Sequence, residues 1–257
     1  MISGLGNSAI PVGYINFVGA GEPLLHKQLE QLAQEAKNVV SDVRVTTNGI
    51  LLTKETSEAL ISSGINFFSI SITGSTIDVY RNFQGCGKDD ESVKEQLETV
   101  VKNIQDLCEI RNKRYKNVVV LLSYILTEES KDHLFKYISF FRRLGVDEIL
   151  ARPLDAPPAE CEGLYDKEYF TNKILALIEK KGCICSLIGR HIAVYSSGDV
   201  YPCCNWKPQE LKLGNIYETP LIEMLNSEKL LDTIDRLHHS QEPLPECCKN
   251  CYQGLSI

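Results

Sequence analysis

The sequence predicts an α/β protein, parallel strands joined by helical crossovers, followed by a small cysteine-rich α+β domain. Three observations carry this prediction. Strand-prone apolar runs alternate five times with helical patterns, polar glycine-containing segments follow the strands, and eight of the ten cysteines lie between Cys161 and Cys251. Alternation of this kind points to a parallel sheet, because parallel neighbours need a crossover and that crossover is usually a helix.

The strand runs are Tyr14 to Val18, Val43 to Thr47, Asn66 to Ile72, Val118 to Ile125 and Glu148 to Ala151. Between them, Leu25, Leu29, Leu32, Ala33 and Ala36 fall on one face at a period of about 3.6, as do Val93, Leu97, Val100, Val101, Ile104 and Leu107. Leu134, Tyr137, Ile138, Phe141 and Leu144 repeat the pattern. Gly145 is placed to cap that helix, and Gly64 to cap the one after Thr53. The alternation ends near Asp155-Ala-Pro-Pro-Ala159, which reads as a linker and puts a domain boundary near residue 158. The expected domains are therefore 1–158 and 159–257. The second holds a helix from about Lys167 to Lys181 and a hairpin, His191 to Tyr195 and Val200 to Cys203, turned at Ser197-Gly198-Asp199.

Composition narrows the function classes. A net charge of -7 disfavours a nucleic-acid surface, whose affinity comes from clustered Lys and Arg. No apolar run reaches the roughly 20 residues of a membrane helix, and Met1 is not followed by an export-signal pattern. The expectation is a cytoplasmic protein with neither nucleic-acid nor membrane partners. In a reducing compartment, crowded cysteines suggest metal thiolates more than disulfides.

In a parallel α/β array, ligands gather where the strands end. Gly19-Ala-Gly-Glu-Pro23 follows the first strand, Thr46-Thr-Asn-Gly49 the second, Ser71-Ile-Thr-Gly74 the third and Arg152-Pro-Leu-Asp155 the fifth. Each segment alone is compatible with ordinary turn chemistry. Glycines at 19 and 21 would also let backbone carbonyls approach an ammonium group, with Glu22 adding negative charge. In this order on successive strands, GAGEPLLH, VTTNG and SISITG resemble the radical S-adenosylmethionine (SAM) superfamily.

The resemblance implies an incomplete (β/α)6-type parallel barrel. It also implies a SAM site formed by Gly19, Ala20, Gly21, Glu22 and Pro23, where the methionine amino group binds, with Asn48 on the same rim and Ser71 toward the ribose. Ala20 replaces a glycine of the family's GGEP motif. Ser123 and Arg152 lie on later strand ends, where a hydrogen-bonded core Ser and a solvated Arg are the simpler readings.

Cys185 and Cys203 bracket Gly198 as C-x12-G-x4-C, and Cys248 and Cys251 form C-x2-C. Four thiolates suit zinc or an iron-sulfur cluster, and spacing does not choose between them. Cys183 also fits the gap before Gly198, and Cys204 and Cys247 adjoin the preferred ligands. With Leu213-Gly-Asn-Ile216 and a helix from Pro220 to Leu225, the pattern resembles the SPASM/twitch domain, which implies an auxiliary [4Fe-4S] cluster on Cys185, Cys203, Cys248 and Cys251. Cys108 sits in an apolar helix stripe and reads as core, Cys86 as a loop thiol, and Cys161 lacks a partner at metal spacing.

Radical SAM enzymes carry a C-x3-C-x2-C loop upstream of the GGEP motif, and its three thiolates leave one iron open to SAM. Here the first cysteine is Cys86. The expectation is that the first barrel strand, its loop and its helix are not in this chain, which reads as a fragment or as a descendant that lost the chemistry. The catalytic [4Fe-4S] cluster would be present only with that segment. In the intact family, an electron donor reduces that cluster, SAM is cleaved to methionine and a 5'-deoxyadenosyl radical, and the radical takes a hydrogen atom from a small-molecule or peptide substrate.

Overall fold

Five strands form one parallel sheet in the order β1-β2-β3-β4-β5, so the chain crosses the sheet without doubling back. This computed structural model describes residues 2–5, 11–19, 21–85, 87–127, 130–153, 185, 187–203, 209–239, 245 and 248. Two compact units divide the chain, Ile2–Tyr165 and Asp166–Ile257. The expected boundary near residue 158 and the expected helix at 167–181 lie outside the described residues.

In the first unit the order is α1 (Ile2–Leu5), β1 (Tyr14–Phe17), a 3-10 turn (Pro23–Leu25), α2 (Leu29–Lys37), β2 (Asp42–Thr47), α3 (Lys54–Ser63), β3 (Phe67–Ser71), α4 (Ile77–Gln84), α5 (Asp90–Arg114), β4 (Val119–Leu126), a second 3-10 turn (Lys131–His133), α6 (Leu134–Arg143) and β5 (Glu148–Pro153). Local chemistry sets several boundaries. The Thr53 hydroxyl accepts from Thr56 N at the start of α3, and Gly64 ends that helix at a φ of 115°. The Asp89 carboxylate accepts from Ser92 N at the start of α5. Gly145, at a φ of 93°, follows α6 as expected.

One expectation fails. Leu25 continues the period of α2 in sequence, but the helix starts at Leu29, and Leu25 is exposed in the preceding 3-10 turn. The Glu22 side chain caps that turn, so the backbone leaves the helical path before α2 begins.

Right-handed crossovers between strands in sequential order place all the helices on one side of the sheet. Register and burial agree. Val43, Val45, Phe68, Ile70, Val120 and Leu122 share one face and are fully buried. They pack with Ala33 and Ala36 of α2, Leu60 of α3, Val100, Ile104 and Leu107 of α5, and Tyr137 and Phe141 of α6 in a single core. Cys108 is part of it, and burial pushes its thiol up to about 11. The other face carries Asn16, Arg44, Thr46, Ser69, Ser71, Ser123 and Arg152, interspersed with Tyr14, Phe67, Val119, Leu121, Ile125 and Leu150. An apolar, helix-covered face backing a polar one is the cross-section of a barrel wall, with the polar face inside.

The second unit has a three-stranded antiparallel sheet, β6 (Ala193–Val194), β7 (Asp199–Tyr201) and β8 (Gly214–Asn215), followed by α7 (Leu221–Leu225) and α8 (Glu228–His239). The expected hairpin turn is present. Gly198 adopts a φ of 85°, and a Cβ there would lie 2.6 Å from the Tyr217 ring and from Asn215 Oδ1. β8 and α8 extend this unit beyond the expected hairpin. Ile188, Leu230 and Leu237 form its small core.

Candidate functional site

The C-terminal ends of β1, β2 and β3 carry the segments singled out in the sequence. After β1, Gly19 and Gly21 leave the backbone open. A Cβ built on Gly21 would meet nothing within 4 Å, and one on Gly19 would meet only Gly21 N at 4.0 Å. Such a loop suits a ligand that binds backbone carbonyls, and an ammonium group is one. Ala20 lies outside the described residues.

Glu22 does more than add charge. Its Oε1 accepts from Thr47 Oγ1 at 2.7 Å and from Leu24 N at 3.1 Å, and its Oε2 accepts from Asn48 N at 2.8 Å. A carboxylate offers about four acceptor positions, so one remains, on Oε2. Glu22 therefore ties the loop after β1 to the end of β2. Pro23, at the first position of the 3-10 turn, needs no hydrogen-bond acceptor there.

The Asn48 side chain accepts from Ile50 N at 3.0 Å and so braces its own turn. Gly49 follows at a φ of 79°, packed under Ile70 and Val100. From α5, Asn103 donates to Gly49 O at 2.9 Å and Ile50 O at 3.1 Å. At the end of β3, Ser71 is half-buried on the polar face beside Ser123, its partner in register. Among the described residues nothing bonds the Ser71 hydroxyl. Arg152 Nε donates to Ser123 Oγ at 3.2 Å, which joins the ends of β4 and β5 on the same face.

Lower on that face, Arg44 forms a bidentate pair with Asp42, with Nε at 2.9 and 3.0 Å from the carboxylate oxygens. Its guanidinium lies 4.1 Å from the Tyr14 ring centre and 4.5 Å from that of Phe67, on the flanking strands. The bonds to Asp42 raise the Arg44 pKa further above its ordinary value.

Asn103 and Gln84 also shape these loops, and no motif marks them, while Thr47 belongs to the Thr46-Thr-Asn-Gly49 segment. Gln84 Nε2 donates to Ser71 O at 2.5 Å, while its Oε1 accepts from Thr73 N at 3.0 Å.

In the second unit, Cys185, Cys203 and Cys248 are half-buried thiols. Cys185 and Cys248 pack against the same apolar cluster, and Cys185 Sγ accepts from Ile188 N at 3.4 Å. Cys203 follows β7. Among the described residues no three His, Cys, Asp or Glu side chains gather as a metal group. Cys251, and the alternatives Cys183, Cys204 and Cys247, lie outside the described residues, as do Cys86 and Cys161. In donor type the thiols of Cys185, Cys203 and Cys248 suit a cluster, but the described residues do not bring the three together. Among the described residues no helix is long and apolar enough to cross a membrane.

Comparison with known proteins places these features. The model of the Radical SAM superfamily matches residues 10–141, and that of an iron-sulfur cluster-binding domain, SPASM, matches 185–252. Among curated proteins, a "Probable GTP 3',8-cyclase" of Saccharolobus solfataricus is 26% identical over 130 residues, which is 50% of this chain and 38% of that protein. Its counterpart in Sulfolobus acidocaldarius is 27% identical over 130 residues, 50% of this chain and 37% of that protein. The chain thus matches well under half the length of these relatives.

Among solved structures, native anSMEcpe with bound AdoMet superposes at a TM-score of 0.61 and 18% identity, covering 98% of this chain and 75% of that one. Streptococcus suis SuiB gives 0.60 and 14%, covering 86% and 57%. At these identities the likeness shows the fold. The superfamily match covers just over half of the chain and includes all the rim motifs on β1 to β3, so the chain belongs to the radical SAM superfamily and carries an iron-sulfur cluster-binding domain of the SPASM type.

Proposed function

We propose that this protein binds SAM at the rim formed by Gly19 to Pro23, Asn48 and Ser71. There it serves radical hydrogen abstraction from a small-molecule or peptide substrate, an oxidation or a modification. The observation that carries this reading is open glycine backbone at 19 and 21, just past the end of β1, together with the Ser71 hydroxyl, which has no described partner, at the end of β3.

SAM held here would supply the means of hydrogen abstraction only when one electron reached it from an open iron that a C-x3-C-x2-C loop would hold. The chain's own residues bind and orient. Carbonyls of residues 19 to 21 take the ammonium group, Ser71 takes a ribose hydroxyl, and Glu22 holds Thr47 and Asn48 in place. Glu22 reaches the ligand only through its remaining Oε2 position. Cys185, Cys203, Cys248 and Cys251 would hold an auxiliary [4Fe-4S] cluster that exchanges electrons with the substrate. An external electron donor and a reducing, cytoplasmic setting complete this reading.

The 257 residues contain no C-x3-C-x2-C. In this reading they bind SAM without cleaving it until such a loop is supplied. A second reading is a non-catalytic binding module stabilised by zinc or a cluster on the second unit's thiols.

The test is anaerobic reconstitution with iron and sulfide, followed by metal and sulfide analysis, dialysis against labelled SAM, and assay of 5'-deoxyadenosine with dithionite. The expected result is about four iron and four sulfide per chain, saturable SAM binding, and cleavage only when a C-x3-C-x2-C segment is added. Zinc without sulfide, and no SAM binding, would establish the second reading instead.

A further inference from the structure

The backbone just past β3 is held more completely than a strand end requires. Ile72 N donates to Ser123 O at 3.2 Å, and Ile72 O accepts from the Tyr137 hydroxyl at 2.9 Å. Ser71 O and Thr73 N lie on the other side of this segment, and a single carboxamide serves both. Gln84 donates to the first and accepts from the second, as a neighbouring strand would.

Gln84 is itself fixed. It is the last residue of α4, and a Cβ on the next residue, Gly85, would come within 2.7 Å of Val93 on α5. Gly74, at a φ of 104°, brings the chain back so closely that a Cβ there would lie 2.7 Å from Tyr80 N of α4. A rigid path therefore runs from α5 through the end of α4 to the backbone of Ser71. Of the three residues held, Ile72 is buried in the core and the Thr73 hydroxyl accepts from Ile125 N at 3.1 Å. Ser71 alone keeps a hydroxyl with no described partner.

From this geometry we infer that Gln84 is a positioning residue for SAM, setting the height and direction of the Ser71 hydroxyl without touching the ligand. The inference rests on the SAM site proposed above. A two-bond brace from a folded helix fixes the donor before the ligand arrives, which lowers the ordering cost of binding.

The test is a double-mutant cycle read by dialysis of labelled SAM against the 257-residue protein. Ser71→Ala is expected to weaken binding about 5- to 10-fold, the worth of one hydrogen bond. Gln84→Ala should weaken it by a similar factor. The double variant should bind within about twofold of Ser71→Ala, because Gln84 acts through a hydroxyl already removed. Gln84→Glu has the same shape but places a carboxylate oxygen against Ser71 O, and it should match Gln84→Ala.

Factors that multiply in the double variant would show general loosening and overturn the inference. So would full SAM affinity in both Gln84 variants while Ser71→Ala is impaired. Unchanged binding in Ser71→Ala, or none in the unaltered protein, would overturn the proposed SAM site itself and this inference with it.

Discussion

Replacing Glu22 with Gln tests whether the first rim loop is held by its carboxylate. The amide oxygen can still accept from Thr47 Oγ1 and Leu24 N, but the amide nitrogen then faces Asn48 N, donor against donor. The change removes one charge-assisted bond of 2.8 Å and weakens two more. Hydrogen bonds to charged groups contribute about 1.5–3 kcal/mol, and partial exposure puts this site near the lower end, at about 2 kcal/mol. For a unit of this size each kcal/mol moves the melting temperature by about 2–4 °C, so a fall of about 4–8 °C is expected. Circular dichroism melts and amide exchange at Asn48 measure it. Thr47→Val should add to Glu22→Gln, since the amide oxygen keeps the Thr47 bond that Val removes and Thr47 Oγ1 also accepts from Gly49 N at 3.1 Å. A Glu22→Gln melt within about 1 °C of the unaltered protein, with Asn48 exchange unchanged, would refute the reasoning.

Two further outcomes follow from other contacts. Arg111 is buried on α5, with its guanidinium on the Asp147 carboxylate and Gly145 O, and Asp147 also accepts from Val120 N at 2.8 Å. Asp147→Asn leaves the buried cation without its counter-charge and should cost about 2–3 kcal/mol in a urea titration, below the figure for a fully buried pair because Asp147 is partly exposed. In the second unit, Asp199 is bonded by Lys212, Ser197 and Asn215, which hold its carboxyl down at about 2. A depressed carboxylate stabilises the fold fully above its unfolded value of 3.8 and loses that contribution as pH falls toward 2. An NMR titration of Asp199 with a midpoint near 3.8 would contradict this, and Asp199→Asn should flatten the acid limb of the stability profile.

Much of the first unit is legible in the sequence because strand and helix leave different apolar periods. Val43, Val45 and Ile70 alternate with polar neighbours, and that alternation separates the core face from the inner one. The rim segments are legible as motifs, but their division of labour is not. Glu22 reads as a ligand in sequence and as a strut in space, because its partners Thr47 and Asn48 are 25 and 26 residues away. Leu25 misleads for a related reason, since a period of 3.6 continues through residues that the Glu22 cap has turned aside. Gln84 and Asn103 carry no pattern at all. Each is an unremarkable polar residue of a helix whose importance lies in the carbonyl it meets.

The Arg44 guanidinium, set between the Tyr14 and Phe67 rings, has a consequence for what the barrel wall can admit. Side chains packed this tightly by cation and ring form a floor across three strands without making the inner face greasy. Ser71 is four residue steps beyond Phe67, and at about 3.3 Å per residue the floor lies roughly 13 Å below the rim. Thr46 and Ser69 stand on the same face between this floor and Ser71, so the cation and its rings close the face beneath the rim motifs and leave the strand ends as its open edge.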